Sequence, residues 1–233
     1  MHVRKYGGSS LISIEQISQI CSSLPKGPLV IVLSAPFGRT AQLYESLAAV
    51  KTSPAYNELI SLGERESCLK FKIMLEQLGR EAEIVAYNQT GIQSSQYHGG
   101  FIASCKPTYI KSRLQQGKTI IVAGFQGEYR NKLAILARGA SDDTAVALSI
   151  ALECPCHIFS NVPYIFNHQG KQYQSIYYDT LLKMVTQSQA PMSKSSILMA
   201  KAYAKEIHFG QWNSEQRGTI ISKKDKMYES IST

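Results

Sequence analysis

His2-Val3-Arg4-Lys5-Tyr6-Gly7-Gly8-Ser9-Ser10 reads as a short apolar and basic strand that delivers a lysine into a Gly-Gly-Ser-Ser turn and then runs into a helical pattern. These are the ingredients of a phosphate site. Glycines permit positive φ and bring backbone N–H groups close to an anion, a helix start adds the positive end of its dipole, and the lysine supplies full charge. A tight turn with a solvated lysine would use the same residues, so the rest of the chain has to decide.

Working outward, strand-like runs near 2–6, 28–33, 82–86, 118–123, 156–160, 206–209 and 218–222 alternate with stretches of helical period. Examples of the latter are Ile14-Ile17-Ile20 behind Ser13 as N-cap, Leu43-Leu47-Val50, and Leu59 through Leu78. Such alternation predicts an α/β fold, a three-layer αβα sandwich around a mainly parallel central sheet. With no repeat, low-complexity tract or Pro/Gly-rich linker in the sequence, one domain over 1–222 is expected, with a helical excursion at about 40–80 and a short, mobile, basic tail at 223–233.

The 233 residues, 44% of them hydrophobic, suffice for one full core. The longest apolar runs, Leu29-Val30-Ile31-Val32-Leu33 and Thr119-Ile120-Ile121-Val122-Ala123, have strand length and not membrane length. No secretory h-region opens the chain, and an odd five cysteines suggest reduced thiols, so a cytoplasmic protein is expected. Cys154-Pro-Cys156-His157 has no second ligand pair at zinc spacing, and no metal site is assigned. The net charge of +8 is dispersed apart from Lys223, Lys224 and Lys226, which favours a basic pocket for small anions over nucleic acid.

In open sheets of this kind ligands sit beyond the carboxyl ends of the strands. The segments that follow the strands are Gly7-Gly8-Ser9-Ser10, Ser34-Ala35-Pro36-Phe37-Gly38-Arg39-Thr40 and Gly124-Phe125-Gln126-Gly127, with Ala137-Arg138-Gly139-Ala140-Ser141-Asp142-Asp143-Thr144-Ala145 leading into an apolar helix over 141–152. These are expected to converge on one crevice. Ser141 or Asp142 is the expected cap of a helix beginning near Asp143. Arg138 offers a bidentate fork for a carboxylate or phosphate.

With these residues in view the chain resembles the aspartokinases of the amino acid kinase family. Lys5-Tyr6-Gly7-Gly8-Ser9-Ser10 is similar to that family's Lys-Phe-Gly-Gly-Thr-Ser. Further matches are Ser34-Ala35 with Gly38-Arg39-Thr40, Ser61-Leu62-Gly63-Glu64, Gln89-Thr90-Gly91-Ile92 with His98-Gly99, Gly124-Phe125-Gln126-Gly127, and Arg138 through Ala145, all in the family's order. The resemblance implies transfer of the γ-phosphate of ATP, carried with Mg2+, to the side-chain carboxylate of L-aspartate, giving an acyl phosphate.

By the same resemblance Lys5 meets the phosphoryl group, Gly7, Gly8 and Ser9 supply donors, and Asp142 holds the lysine. Arg138 grips the α-carboxylate of the amino acid and Glu64 its ammonium, while Ser34, Thr40, Phe125 and Ser141 complete that pocket. Ser160, Asn161 and Lys194 fall on the nucleotide side. A carboxylate nucleophile with a pKa of about 3.9 is ionised near neutrality and needs no general base, so positioning and charge neutralisation carry the reaction.

The nucleotide half departs from the family pattern. Where aspartokinases carry Thr-Asp-Val-Asp-Gly, this chain has Ser160-Asn161-Val162-Pro163-Tyr164, and the lysine of the family's Gly-Ala-Lys-Val-Leu-His-Pro falls on Pro191, with Lys194 three residues on. Tyr164 would either block the groove or stack on a base. The chain stops where the ACT regulatory domains of typical aspartokinases begin, so no such domain, and no feedback through one, is expected. A homodimer through an exposed sheet edge or helical face is compatible with the fold. Two readings follow: a stand-alone kinase for aspartate or another small carboxylate amino acid, or a degenerate kinase that binds an amino acid or partner protein without transfer. An altered groove would also permit a different phosphate donor.

Overall fold

The computed structural model describes residues 1–47, 53–187, 190–214, 218–223 and 226–227. In chain order its strands are β1 (His2–Tyr6), β2 (Leu29–Leu33), β3 (Ala82–Val85), β4 (Ile92–Ser94), β5 (His98–Gly100), β6 (Ile102–Cys105), β7 (Thr119–Ala123), β8 (Gln126–Tyr129), β9 (Lys132–Leu136), β10 (Cys156–Phe159), β11 (Tyr173–Tyr177), β12 (Ile207–Gly210), β13 (Thr219–Ser222) and β14 (Lys226–Met227). Its helices are α1 (Ile14–Ser23), α2 (Arg39–Ser46), α3 (Pro54–Ile60), α4 (Leu62–Gln77), α5 (Thr108–Gln115), α6 (Ser141–Ala151), α7 (Tyr178–Thr186) and α8 (Lys194–Ala202).

A nine-stranded sheet runs in the order β14-β11-β13-β12-β10-β1-β2-β7-β3. From β12 to β3 every neighbouring pair is parallel, and the antiparallel pairs are β12 with β13 and β11 with β14. The apolar runs of β2 and β7 are buried along their whole length because both faces are covered. Tyr6, Leu29, Ile31 and Leu33 pack with Ile17 and Ile20 of α1 and Phe71 and Leu75 of α4. Val3, Val30, Val32 and Ile158 point the other way, into a second cluster with Val146 and Leu148 of α6. The alternation is the period-two pleat of a strand between two helical layers, so the expected αβα architecture is present.

A second sheet, β5-β9-β8-β4-β6, was not anticipated. Buried Asn57 ties α3 to it, donating to the carbonyls of Tyr97 and Leu133 while its Oδ1 lies 2.9 Å from Nδ1 of His98.

Several helix boundaries differ from the expectation. Leu59 through Leu78 is broken at Ser61, which ends α3 and opens α4, and just beyond it Gly63 packs so close to Ala35 that a Cβ there would stand 2.6 Å from the Ala35 Cβ. The run Leu43-Leu47-Val50 is helical only to Ser46; Leu47 is the C-cap and Val50 lies outside the described residues. Ser13 does cap α1, accepting from the amide of Gln16. The tail expected after 222 contributes β14, paired with β11. All five cysteines are free, and no helix of the described residues is long and apolar enough to cross a membrane.

Candidate active site

Adjacent parallel strands β1, β2 and β7 end together, and the segments leaving them build the crevice. Lys5, near the end of β1, places its Nζ 2.7 Å from an Oδ of Asp142 in the first turn of α6, with both side chains largely buried at 12% and 8% exposure. The apolar body of α6 packs on β1 and β2, which drives its N-terminus to the strand ends. Gly124 makes the approach possible, since a Cβ there would stand 2.6 Å from the Ser141 hydroxyl.

The expected cap of α6 is corrected. The helix begins at Ser141 after Ala140 as N-cap, and neither Ser141 nor Asp142 caps it. Both lie inside the first turn, where Asp142 is engaged with Lys5 and Ser141 lines a cavity.

The glycine turn is corrected too. Gly7 has φ −74°, ψ 160°, and Gly8 is also outside the positive-φ region. Gly8 is needed for space: a Cβ would lie 2.5 Å from the Ala35 carbonyl oxygen. The N–H of Gly7 donates to Phe159, so it is committed to the fold. Gly8 and Ser9 open a single 3-10 turn, Gly8–Ser10, and as its first residues have no carbonyl of their own turn to bond. Helix α1 starts only at Ile14, so its dipole does not begin at this turn.

A cavity of about 290 Å³ brings together Gly8, Ser34, Thr40, Glu64, Phe125, Arg138 and Ser141. All six residues expected to bind the acceptor therefore share one space. Glu64 is buried, accepts at Oε1 from the Ala35 amide, and leaves Oε2 with no hydrogen-bond partner. Burial pushes its carboxyl up to about 8, against the pull of the bond from Ala35. Arg138 is exposed at the mouth and has no ion-pair partner among the described residues. Phe125 is buried at φ 65°, a left-handed conformation uncommon for an aromatic residue, as the chain turns from β7 into β8.

A second cavity, about 420 Å³, is lined by Ser160, Asn161, Val162, Tyr164, Ile165, Phe166 and Pro191. Ser160 and Asn161 are thus together, and Tyr164 is buried with its ring edge-on to Phe166 at 6.4 Å. Lys194 is the exposed first residue of α8, whose N-cap is Ser193.

A contact absent from the sequence expectations joins the two sides. Asp143, buried in the first turn of α6, accepts from the hydroxyls of Ser193 and Ser195, each at 2.6 Å. The signal lay in the doubled acid Asp142-Asp143 and in Ser193-x-Ser195, fifty residues apart and without periodicity.

The sequence model of the amino acid kinase family matches residues 1–210. Aspartokinase 2 of Bacillus subtilis (strain 168) is 28% identical over 246 residues, covering 98% of this chain and 60% of its own length. The aspartokinase of Corynebacterium glutamicum is 31% identical over 238 residues, covering 94% and 56%. The chain thus spans 56% to 60% of the length of these relatives. Among solved structures, aspartate kinase from Synechocystis superposes with a TM-score of 0.79 at 25% identity, over 98% of this chain and 42% of that one. The E. coli aspartokinase III complex with aspartate and ADP has the same fold, with a TM-score of 0.80 at 21% identity over 97% of this chain and 65% of that one. A family match over residues 1–210, on a parallel sheet whose strand ends gather this crevice, makes the chain a member of the amino acid kinase family.

Proposed function

We propose that this chain phosphorylates the side-chain carboxylate of L-aspartate with ATP, the single amino acid kinase domain of residues 1–222 holding both substrates. The observation that carries this reading is the first cavity: a buried, unpaired carboxylate oxygen on Glu64 and an unpaired guanidinium on Arg138, beside the Lys5–Asp142 pair. An α-amino acid brings the complementary groups: an ammonium, beside which the raised Glu64 carboxyl gives up its proton to solvent and ionises, and an α-carboxylate for Arg138. Its side chain, when it is a second carboxylate, is left to face the lysine. The aspartate and ADP bound by the E. coli fold neighbour support the same substrate pair.

In the reaction an oxygen of the aspartate side chain forms a bond to the γ-phosphorus as the bond from that phosphorus to the ADP oxygen breaks. No proton is moved, because the nucleophile is already ionised. Lys5 neutralises charge on the transferring group, and Asp142 keeps the ammonium aimed without itself taking part. Gly8 and Ser9 offer backbone donors at the same place. Ser34, Thr40, Phe125 and Ser141 enclose the acceptor. The nucleotide occupies the second cavity, between Ser160, Asn161 and Pro191, with Lys194 at the start of α8 on that side; its wall is aromatic and apolar, which fits a base. Mg2+ held on the nucleotide's phosphates would supply further neutralisation.

Tyr164 and Pro191 in that wall favour one alternative, a protein that retains the amino-acid pocket and has lost transfer. Incubation with Mg-ATP, L-aspartate and hydroxylamine separates the two, because hydroxylamine traps an aspartyl phosphate as a coloured hydroxamate. Signal from the wild type that drops at least a hundredfold in Lys5→Ala is expected, the usual scale for losing a preorganised charge. No signal above that variant, at enzyme concentrations that reveal a thousandfold-impaired catalyst, would sink the kinase reading.

A further inference from the structure

Two consecutive carboxylates in the first turn of α6 point to different partners. Asp142 reaches Lys5 on β1, and Asp143 reaches the start of α8. Asp143 is buried, and both of its oxygens are occupied by hydroxyl donors, Ser193 on Oδ1 and Ser195 on Oδ2. Ser193 already works as the N-cap of α8, accepting from the amide of Ser196, so its hydroxyl proton is free to go to Asp143. Ser195 approaches Ser193 at 3.3 Å and closes the group.

A buried carboxylate is costly unless fully bonded, and apolar residues of like shape would join the two helices as well. What the polar arrangement adds is a fixed geometry. Ser193 and Ser195 flank Lys194, so both neighbours of that lysine are fastened to α6. Two residues before Ser193 stands Pro191, a wall of the second cavity. On the other side, Ser193 lies against the loop that carries Arg138, where a Cβ on Gly139 would come 3.8 Å from the Ser193 Cβ.

Resting on the proposed phosphotransfer, we propose that Asp143 is a positioning residue: through Ser193 and Ser195 it sets the start of α8, and with it the nucleotide side, relative to the acceptor side built on α6. It touches neither substrate. It holds the distance between them, on which in-line transfer depends.

The test compares wild type with Asp143→Asn, Asp143→Ala and Ser195→Ala, measuring KM for Mg-ATP and for aspartate separately, the melting temperature, and hydrogen exchange at the amides of Ser196 and Ile197. Asp143→Ala should raise KM for Mg-ATP about tenfold, the scale of losing hydrogen bonds to a charged group, while KM for aspartate moves less than twofold. Asp143→Asn, which keeps one accepting oxygen, should recover part of the loss, and the two amides should exchange faster in all three variants. Lower melting temperatures with both KM values unchanged, or both KM values raised alike, would overturn the inference. If Asp143→Ala fails to fold, Ser195→Ala decides alone by the same criteria. Should the wild type show no turnover, the proposed function fails separately, and Mg-ADP affinity with the exchange data decides: weaker binding with faster exchange upholds the positioning role, and unchanged values refute it.

Discussion

A methyl group added to Gly8 would stand 2.5 Å from the Ala35 carbonyl oxygen and 3.1 Å from the Phe37 amide nitrogen, whereas one added to Gly7 would meet nothing closer than 3.4 Å. Gly7 also holds φ and ψ that alanine adopts without strain. The pair reads as one motif in the sequence, and physically it is two different residues. Gly7→Ala should leave stability unchanged or raise it by about 0.4–1 kcal/mol, because alanine loses less chain entropy on folding. Gly8→Ala should cost about 1–3 kcal/mol, since backbone and not a pliable side chain must move, and should lower the hydroxamate signal with it. Urea unfolding of the two variants checks the contrast; equal losses would refute the steric account. The sequence located the turn correctly and misjudged its reason, because the close approach depends on the loop at residues 35–37, far along the chain, that no local pattern reveals.

At the scale of elements, what was legible follows the strength of the burial signal. Strands β2 and β7, buried on both faces, are unbroken apolar runs and could not be missed. The second sheet is built from strands such as Ile92–Ser94 and His98–Gly100, three residues each and rich in Gly and polar groups, and its order comes from long-range pairing and not from composition. That the residues of the first cavity share one space was readable because each follows a strand or lies in the first turn of a helix, whereas Asp143, Ser193 and Ser195 meet only through the packing of α6 on α8. Asn57 is the corresponding hidden joint of the second sheet. It is fully buried and links α3 to the carbonyls of Tyr97 and Leu133 and to His98. Asn57→Ala should destabilise by about 3 kcal/mol, because it leaves two carbonyls unsatisfied as well as a cavity. His98→Ala, which removes a single half-buried partner, should cost less than half as much in the same unfolding assay. Equal costs would place the joint elsewhere.

For the whole molecule the buried titratable groups set how stability follows pH, and two of them oppose each other. Glu64 has its carboxyl raised by burial from 4.5 to about 8, so between those values the folded protein holds a proton that the unfolded chain has released, and stability falls as pH rises. His157 lies in the middle of the sheet, stacked at 4.8 Å on His208 of β12, with Arg4 beside it in register on β1 and His2 at 5.5 Å. Burial first, and then the charges of His208, Arg4 and His2, lower it from 6.5 to about 4. In that window the unfolded chain binds the extra proton, so stability rises with pH. Between 4.5 and 6.5 these two slopes, each about 1.4 kcal/mol per pH unit for a whole proton, oppose each other, and His2 and His98, whose imidazoles burial also lowers, add to the rising side. From 6.5 to 8 Glu64 acts alone. The ligand-free wild type should therefore gain stability with pH across the lower window and lose about 2 kcal/mol across the upper one. Glu64→Gln should abolish the upper decline and steepen the rise between pH 4.5 and 6.5, while His157→Phe should weaken that rise and keep the upper decline. The relevant measurement is urea unfolding of the three proteins at half-unit pH steps. A Glu64→Gln curve that falls above 6.5 as steeply as the wild type would show that Glu64 is already ionised in the empty pocket, and its place opposite a substrate ammonium would then carry no stored electrostatic cost for aspartate to relieve.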